Sequence, residues 1–178
     1  MKNNRNFLFY GIGSVAFGIK GNAFSWFLFF YYNMVIGLPA WMASLALAIA
    51  TIWDAISDLI IGYSSDHTKS RLGRRHPYMY AALIPVPIFF VLLWNPPTFD
   101  TDFNLFLYLL VMAILVRTFT TLFEIPNQSL GPEITREYHE RTKMMSLRYF
   151  FGWMGGTVTV SYTHLRAHET EADLVCRL

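Results

Sequence analysis

The chain has 178 residues, of which 54% are hydrophobic, 17% aromatic and 15% charged, and its formal net charge is +2. Charged residues fall below the share of about a quarter usual in a soluble domain, and the aromatic content excludes a disordered chain. The lone cysteine, Cys176, excludes an intramolecular disulfide and a thiolate metal cluster.

An apolar helix needs about 20 residues to cross the hydrocarbon core of a bilayer. The sequence predicts four such segments and the start of a fifth. The opening MKNNRNFLFYGIGS is short and basic and runs straight into an apolar stretch. With no small-residue cleavage site, it reads as a first span and not as a removed signal. That span covers roughly 8–35 and ends at the turn around Gly37, Leu38 and Pro39. The second covers roughly 40–63 and stops at the polar run SSDHTKSRLGRRHP. The third covers roughly 77–95 and ends at Asn95, Pro96 and Pro97; the fourth covers roughly 104–130 and carries Pro126 near its end. The fifth begins near Met144 and is still apolar at Val158. The expected fold is an all-α membrane protein. A soluble helical bundle is disfavoured, because its helices are seldom apolar all round for so long.

Loop charges predict the orientation. Lys2 and Arg5 precede the first span, Lys69, Arg71, Arg74 and Arg75 lie between the second and third, and Arg136, Arg141 and Lys143 follow the fourth. The opposite loops, around 37–40 and 95–104, hold no Lys or Arg. Positive loops face the cytoplasm, which places the N-terminus inside. Trp41 and Trp94 then sit at the outer interface.

Ionisable groups at membrane depth are costly and mark pathways or partners. In WDAISD, Asp54 and Asp58 are four apart and share a helix face. Two carboxylates so close call for a cation or a proton between them. Sodium takes oxygen ligands, and Ser57 and Thr121 are candidates for neutral ones. The competing reading is that one aspartate caps a helix or pairs with a base. On the fourth span, Arg117, Thr121 and Glu124 fall near one face, and Glu124 just precedes Pro126, which frees a backbone carbonyl. Arg117 is placed to neutralise Glu124 or one of the aspartates, either as part of a coupling site or as a fixed Arg–Glu pair. Lys20 and Asn22 lie near the middle of the first span, where Lys20 either pairs with Asp54 or Asp58 or reaches a substrate path. Arg148, early in the fifth segment, is either a substrate group or an interfacial anchor.

Gly62, Tyr63, Ser64, Ser65 and Asp66, followed by Arg71, Gly73, Arg74 and Arg75, resemble the inner-loop signature of the major facilitator superfamily. Together with WDAISD before it and His76-Pro77 after it, the stretch resembles the glycoside–pentoside–hexuronide:cation symporters. The runs FYYNMVIGLPAW, EIPNQSLGPEIT and ERTKMMSLRYFFGW are similar to the same family, over roughly residues 8–158. The resemblance implies an alternating-access carrier of two six-helix halves, with this chain as helices one to five of twelve, the fifth truncated. It implies a coupling Na+ or H+ held by Asp54 and Asp58, a sugar or ion role for Glu124 and a substrate role for Arg148. The inner loop has its own physics: Asp66 beside Arg71, Arg74 and Arg75 is a charge cluster suited to gating, latching in one state and releasing in the other, beside the simpler reading of loop topology alone. One departure stands out: Phe17-Gly18-Ile19-Lys20 holds no acid where sugar-transporting relatives place one. The same group includes carriers of lysolipids, so an amphiphilic substrate stays open beside a sugar or glycoside.

From about Val160 the sequence turns polar. SYTHLRAHETEADLVCRL is expected to be a foreign or disordered tail, and its opening resembles translated sequencing-adapter read-through. His164, His168 and Cys176 are not read as a metal site. With the tail set aside, residues 1–159 are the membrane part, which is expected to be inactive in transport without the missing C-terminal helices. A non-transporting membrane stub is the alternative. No nucleophile–base pair, phosphate loop or metal-ligand spacing points to an enzyme. Loop topology accounts for the basic residues, so no nucleic-acid partner is expected. The expected partners are a small-molecule substrate and the lipid bilayer of a bacterial inner membrane.

Overall fold

The computed structural model describes the backbone of residues 11–12, 14–15, 17–70, 73–134 and 137–175, and the side chains of the same residues except 130–134 and 159–175. Every regular element among them is helical. The helical stretch 17–35, here α1, contains two widened π segments, Ala23–Phe27 and Tyr31–Val35. It is followed by α2 (Ala40–His67), α3 (His76–Leu83), α4 (Pro85–Trp94), α5 (Asp102–Ile134) and α6 (Tyr138–Val175). Three spans are long and apolar enough to cross a membrane: Ala40–His67, His76–Trp94 and Asp102–Ser129.

The helices run past several predicted boundaries. Hydropathy cuts a segment at its first charges, whereas backbone hydrogen bonding does not. So α2 continues through Ser64, Ser65 and Asp66 to His67, and α5 runs from Asp102 to Ile134, through Pro126. The third segment divides at Ile84, which itself keeps helical φ and ψ, because Pro85 offers no N–H to the preceding turn. The fifth begins at Tyr138, and its backbone stays helical to Val175. The last part of that stretch includes Ala, Leu and Glu, which favour helix in or out of lipid.

The chain divides into two compact units, one of residues 29–134 and one of residues 1–28 with 135–178. In the first unit, α2 packs mainly on α5, which also carries α3 and α4. The buried face of α2 is small: Ala43, Ala46, Ala50, Ser57, Ile61 and Ser65. Its outer face is large and apolar, with Leu45, Ile49, Ile52, Trp53, Ile56, Leu59 and Ile60 all exposed. A soluble bundle has the reverse pattern. Small residues between helices and bulky apolar ones outside are the arrangement of a bilayer protein, where lipid solvates the large side chains and close backbone approach supplies packing.

The corner between α1 and α2 is built around Gly37, whose φ of +92° suits glycine. The Asn33 side-chain amide donates to the Leu38 carbonyl at 2.9 Å, and the Met42 and Ala43 amides donate to the Pro39 carbonyl at 3.0 and 3.1 Å. The end of α4 is satisfied in full. Its last four carbonyls, which have no partner within a helix, accept from Asn95 Nδ2 at Val91 (2.9 Å), the Tyr108 hydroxyl at Leu92 (2.7 Å), the Tyr32 hydroxyl at Leu93 (2.7 Å) and the Tyr31 hydroxyl at Trp94 (2.9 Å).

In the second unit, glycines bring α1 and α6 together. A Cβ on Gly18 would overlap the backbone carbonyl of Gly152, and one on Gly155 would lie 2.6 Å from the carbonyl oxygen of Val15. Gly11 faces the ring of Phe151 in the same way. This contact is legible as a small-residue stripe only once the two helices are seen to meet.

Candidate functional site

Asp54 and Asp58 lie on α2, and Arg117, Thr121 and Glu124 on α5. The α2–α5 contact decides which of them meet. Arg117 Nη1 donates to Asp54 Oδ2 in an ion pair at membrane depth, with the side chains 22% and 30% exposed. The Thr121 hydroxyl donates to the other oxygen, Asp54 Oδ1, at 3.4 Å. Ser57 donates to the Asp54 backbone carbonyl at 2.9 Å, so its hydrogen is used while its oxygen lone pairs remain. Ser57 and Thr121 are both buried, each 3% exposed. Just outside this cluster, Trp53 Nε1 donates to Thr118 Oγ1 at 2.8 Å, and that hydroxyl donates to the Ile114 carbonyl at 2.7 Å.

Of the two partners open to Arg117, the structure brings the aspartate. Glu124 is seven positions along the same helix, a rise of about 10 Å, and its carboxylate accepts from Gln128 Nε2 at 2.9 Å. Asp58 is half-buried one turn beyond Asp54, and makes no hydrogen bond or ion pair among the described residues. Asp54, Ser57 and Thr121 therefore form one polar cluster with Arg117, and Asp58 stands next to it on the same face.

Lys20, Asn22 and Arg148 belong to the other unit. The Lys20 ammonium lies 4.8 Å from the centre of the Phe17 ring, and Arg148 is half-buried. The Asn22 amide lies against Gly156 so closely that a Cβ there would overlap it.

In the loop after α2, Arg75 is the organising residue. Its Nη2 donates to Asp66 Oδ1 at 2.9 Å, and its Nη1 donates to the Ser129 carbonyl on α5. Arg75 is thus tied to α2 and α5 at once, and its side chain is only 12% exposed against 55% for Asp66. Gly73 takes a φ of +94°, which turns the chain into α3. Gly62 faces Ile125 on α5, where a Cβ would lie 3.7 Å from Ile125 Cγ2. Arg74 is exposed, and Arg71 lies outside the described residues. Sequence reasoning missed Thr68, whose hydroxyl bonds the Ser64 carbonyl at 2.7 Å and the Tyr78 hydroxyl at 2.8 Å and so staples the loop to α3. It also missed Ser129 and the Trp53–Thr118 rung, because neither carries a charge to draw attention.

A family model described as MFS/sugar transport protein matches residues 9–167. The chain is 38% identical to Uncharacterized symporter sll1374 of Synechocystis sp. over 156 residues, which cover 85% of this chain and 28% of that one. It is 29% identical to the isoprimeverose transporter of Lactiplantibacillus pentosus over 84% of this chain and 31% of the relative. It is 28% identical to sodium-dependent lysophosphatidylcholine symporter 1 of Xenopus tropicalis over 78% of this chain and 26% of the relative. The chain thus spans under a third of the length of each of these three.

Proposed function

Because the chain belongs to the MFS/sugar transport protein family, we propose that it supplies the first helices of a cation-coupled secondary active transporter. The observation that carries this reading is the Asp54–Arg117–Thr121 cluster, with Asp58 one turn away, on two helices that cross the membrane. Charged side chains at that depth are too costly to keep for packing alone. In this reading Asp54 and Asp58 hold Na+ or H+, Ser57 and Thr121 add neutral oxygens, and Glu124 lies nearby on α5. Lys20, Asn22 and Arg148 are the proposed substrate groups. The rest of the path belongs to further helices of a longer carrier, as the share of each relative covered, under a third, suggests. The membrane is a bacterial inner one, and the N-terminus is cytoplasmic, supported by Lys69, Arg74 and Arg75 between α2 and α3 and by Arg141 and Lys143 at the start of α6.

A sugar or glycoside is the favoured substrate, supported by the family description and by the relative named for isoprimeverose. An amphiphile is the second reading. It is favoured by the relative named for lysophosphatidylcholine and by the missing acid in Phe17-Gly18-Ile19-Lys20. The test is uptake by the full-length carrier in membrane vesicles, with and without a sodium or proton gradient. Asp58→Cys is expected to abolish ion-stimulated uptake. Unchanged stimulation removes Asp58 from the site, and no gradient-driven uptake by the unaltered carrier overturns the reading.

A further inference from the structure

We propose that Arg117 is a tethered counter-cation that occupies Asp54 in competition with the coupling ion, which makes it a specificity-determining residue of the cation site. The word coupling rests on the transport reading above; the competition rests on the α2–α5 geometry. Both oxygens of Asp54 are engaged, Oδ2 by the guanidinium and Oδ1 by the Thr121 hydroxyl at 3.4 Å. A metal ion at this carboxylate needs those same oxygens, and it needs the neighbouring positive charge gone. An arginine does not vacate by losing its proton, since the guanidinium stays charged in proteins. It leaves only by moving to another anion. Asp58, one turn along the same face and without a hydrogen bond or ion pair among the described residues, is the next acid on α2 after Asp54.

The cluster therefore has two charge-balanced arrangements. In one, Arg117 sits on Asp54 and no ion is required. In the other, the ion takes Asp54 with Ser57 and Thr121, and Arg117 is displaced. The first lowers the affinity for any free cation by mass action, because part of the binding energy goes into moving the arginine. Removing the guanidinium should expose a stronger cation site made of Asp54, Thr121 and Ser57.

The experiment measures radioactive sodium bound to the purified 178-residue chain in nanodiscs, against choline chloride at equal ionic strength. Arg117→Gln is expected to bind sodium about tenfold more tightly than the unaltered chain, within the usual range of coupling between two ligands. Adding Asp54→Asn to Arg117→Gln should remove the whole gain and take binding to the unaltered level or below, and Arg117→Lys, which keeps a tethered charge, should stay near the unaltered level. Equal sodium binding by the unaltered chain and Arg117→Gln overturns the proposal, as does an Arg117→Gln gain that survives Asp54→Asn. If Arg117→Gln fails to fold by circular dichroism, Asp54→Asn alone decides. In the competition sodium displaces Arg117 from Asp54, so this variant should lose the weak binding of the unaltered chain by about tenfold or more, and unchanged binding overturns the proposal. Failure of the transport reading looks different: it is the absence of gradient-driven uptake by the full-length carrier, whatever the chain binds.

Discussion

The hydroxyl of Tyr32 donates to the carbonyl of Leu93 at 2.7 Å, across 61 positions of sequence, and the tyrosine is fully buried. With Tyr31 it closes the end of α4, where the Leu93 and Trp94 carbonyls would otherwise have no donor, while Tyr108 adds a second bond to the Leu92 carbonyl beside the Asn95 N–H. Tyr32→Phe keeps the ring and removes only the donor. It is expected to cost about 1–2 kcal/mol, the penalty of a buried acceptor left without its hydrogen bond. Tyr31→Phe, at a part-buried bond, should cost less. Thermal unfolding in detergent, followed by circular dichroism, gives the order.

Arg75 and Asp66 are unequal partners. Arg75 holds both Asp66 and the Ser129 carbonyl from a nearly buried position, whereas the aspartate is more than half exposed. Arg75→Ala should destabilise the first unit by about 1–3 kcal/mol, as loss of a charged donor from two acceptors does. Asp66→Asn should cost under about 1 kcal/mol, the range of an exposed ion pair. Denaturant titration of both variants and of the double variant separates the Asp66 share from the Ser129 share.

Two glycines of α1 should respond in opposite senses. Gly18→Ala drives a Cβ into the carbonyl of Gly152, and the helices must part. An overpacking cost of about 1–3 kcal/mol is expected. Gly21→Ala meets nothing within 4 Å. It should be neutral or stabilise by up to about 1 kcal/mol through helix propensity. Melting temperatures of the two variants are the check, and equal losses would count against the α1–α6 approach.

Gly37 and Gly73 both hold positive φ, at +92° and +94°. An alanine at either is strained by about 1–2 kcal/mol. At Gly73 the added carbon also comes within 3.3 Å of His76 Nδ1, while at Gly37 it meets open space. Gly73→Ala should therefore be the costlier change, and limited trypsin cleavage after Lys69 and Arg74 should quicken in that variant first.

Much of the fold was legible before any coordinates. The apolar runs announced their helices, Gly37 and Pro39 announced the corner, and WDAISD and RTFTTLFE announced charged groups within apolar helices. Those readings rest on local physics: the length needed to cross hydrocarbon, the φ that only glycine takes easily, and the helical period that sets Asp54 and Asp58 on one face. The ends of helices were less legible, since polar residues such as Ser65 and Asp66 stay helical beyond the apolar run. The choice of partner for Arg117 was not legible at all. Sequence spacing gives the face a residue occupies on its own helix, but not the rotation and vertical offset of one helix against another. Those are set by the small side chains of α2, Ala43, Ala46 and Ala50, that let α2 approach α5. Tertiary packing alone therefore gave Arg117 to Asp54 across 63 positions and left Glu124 to Gln128.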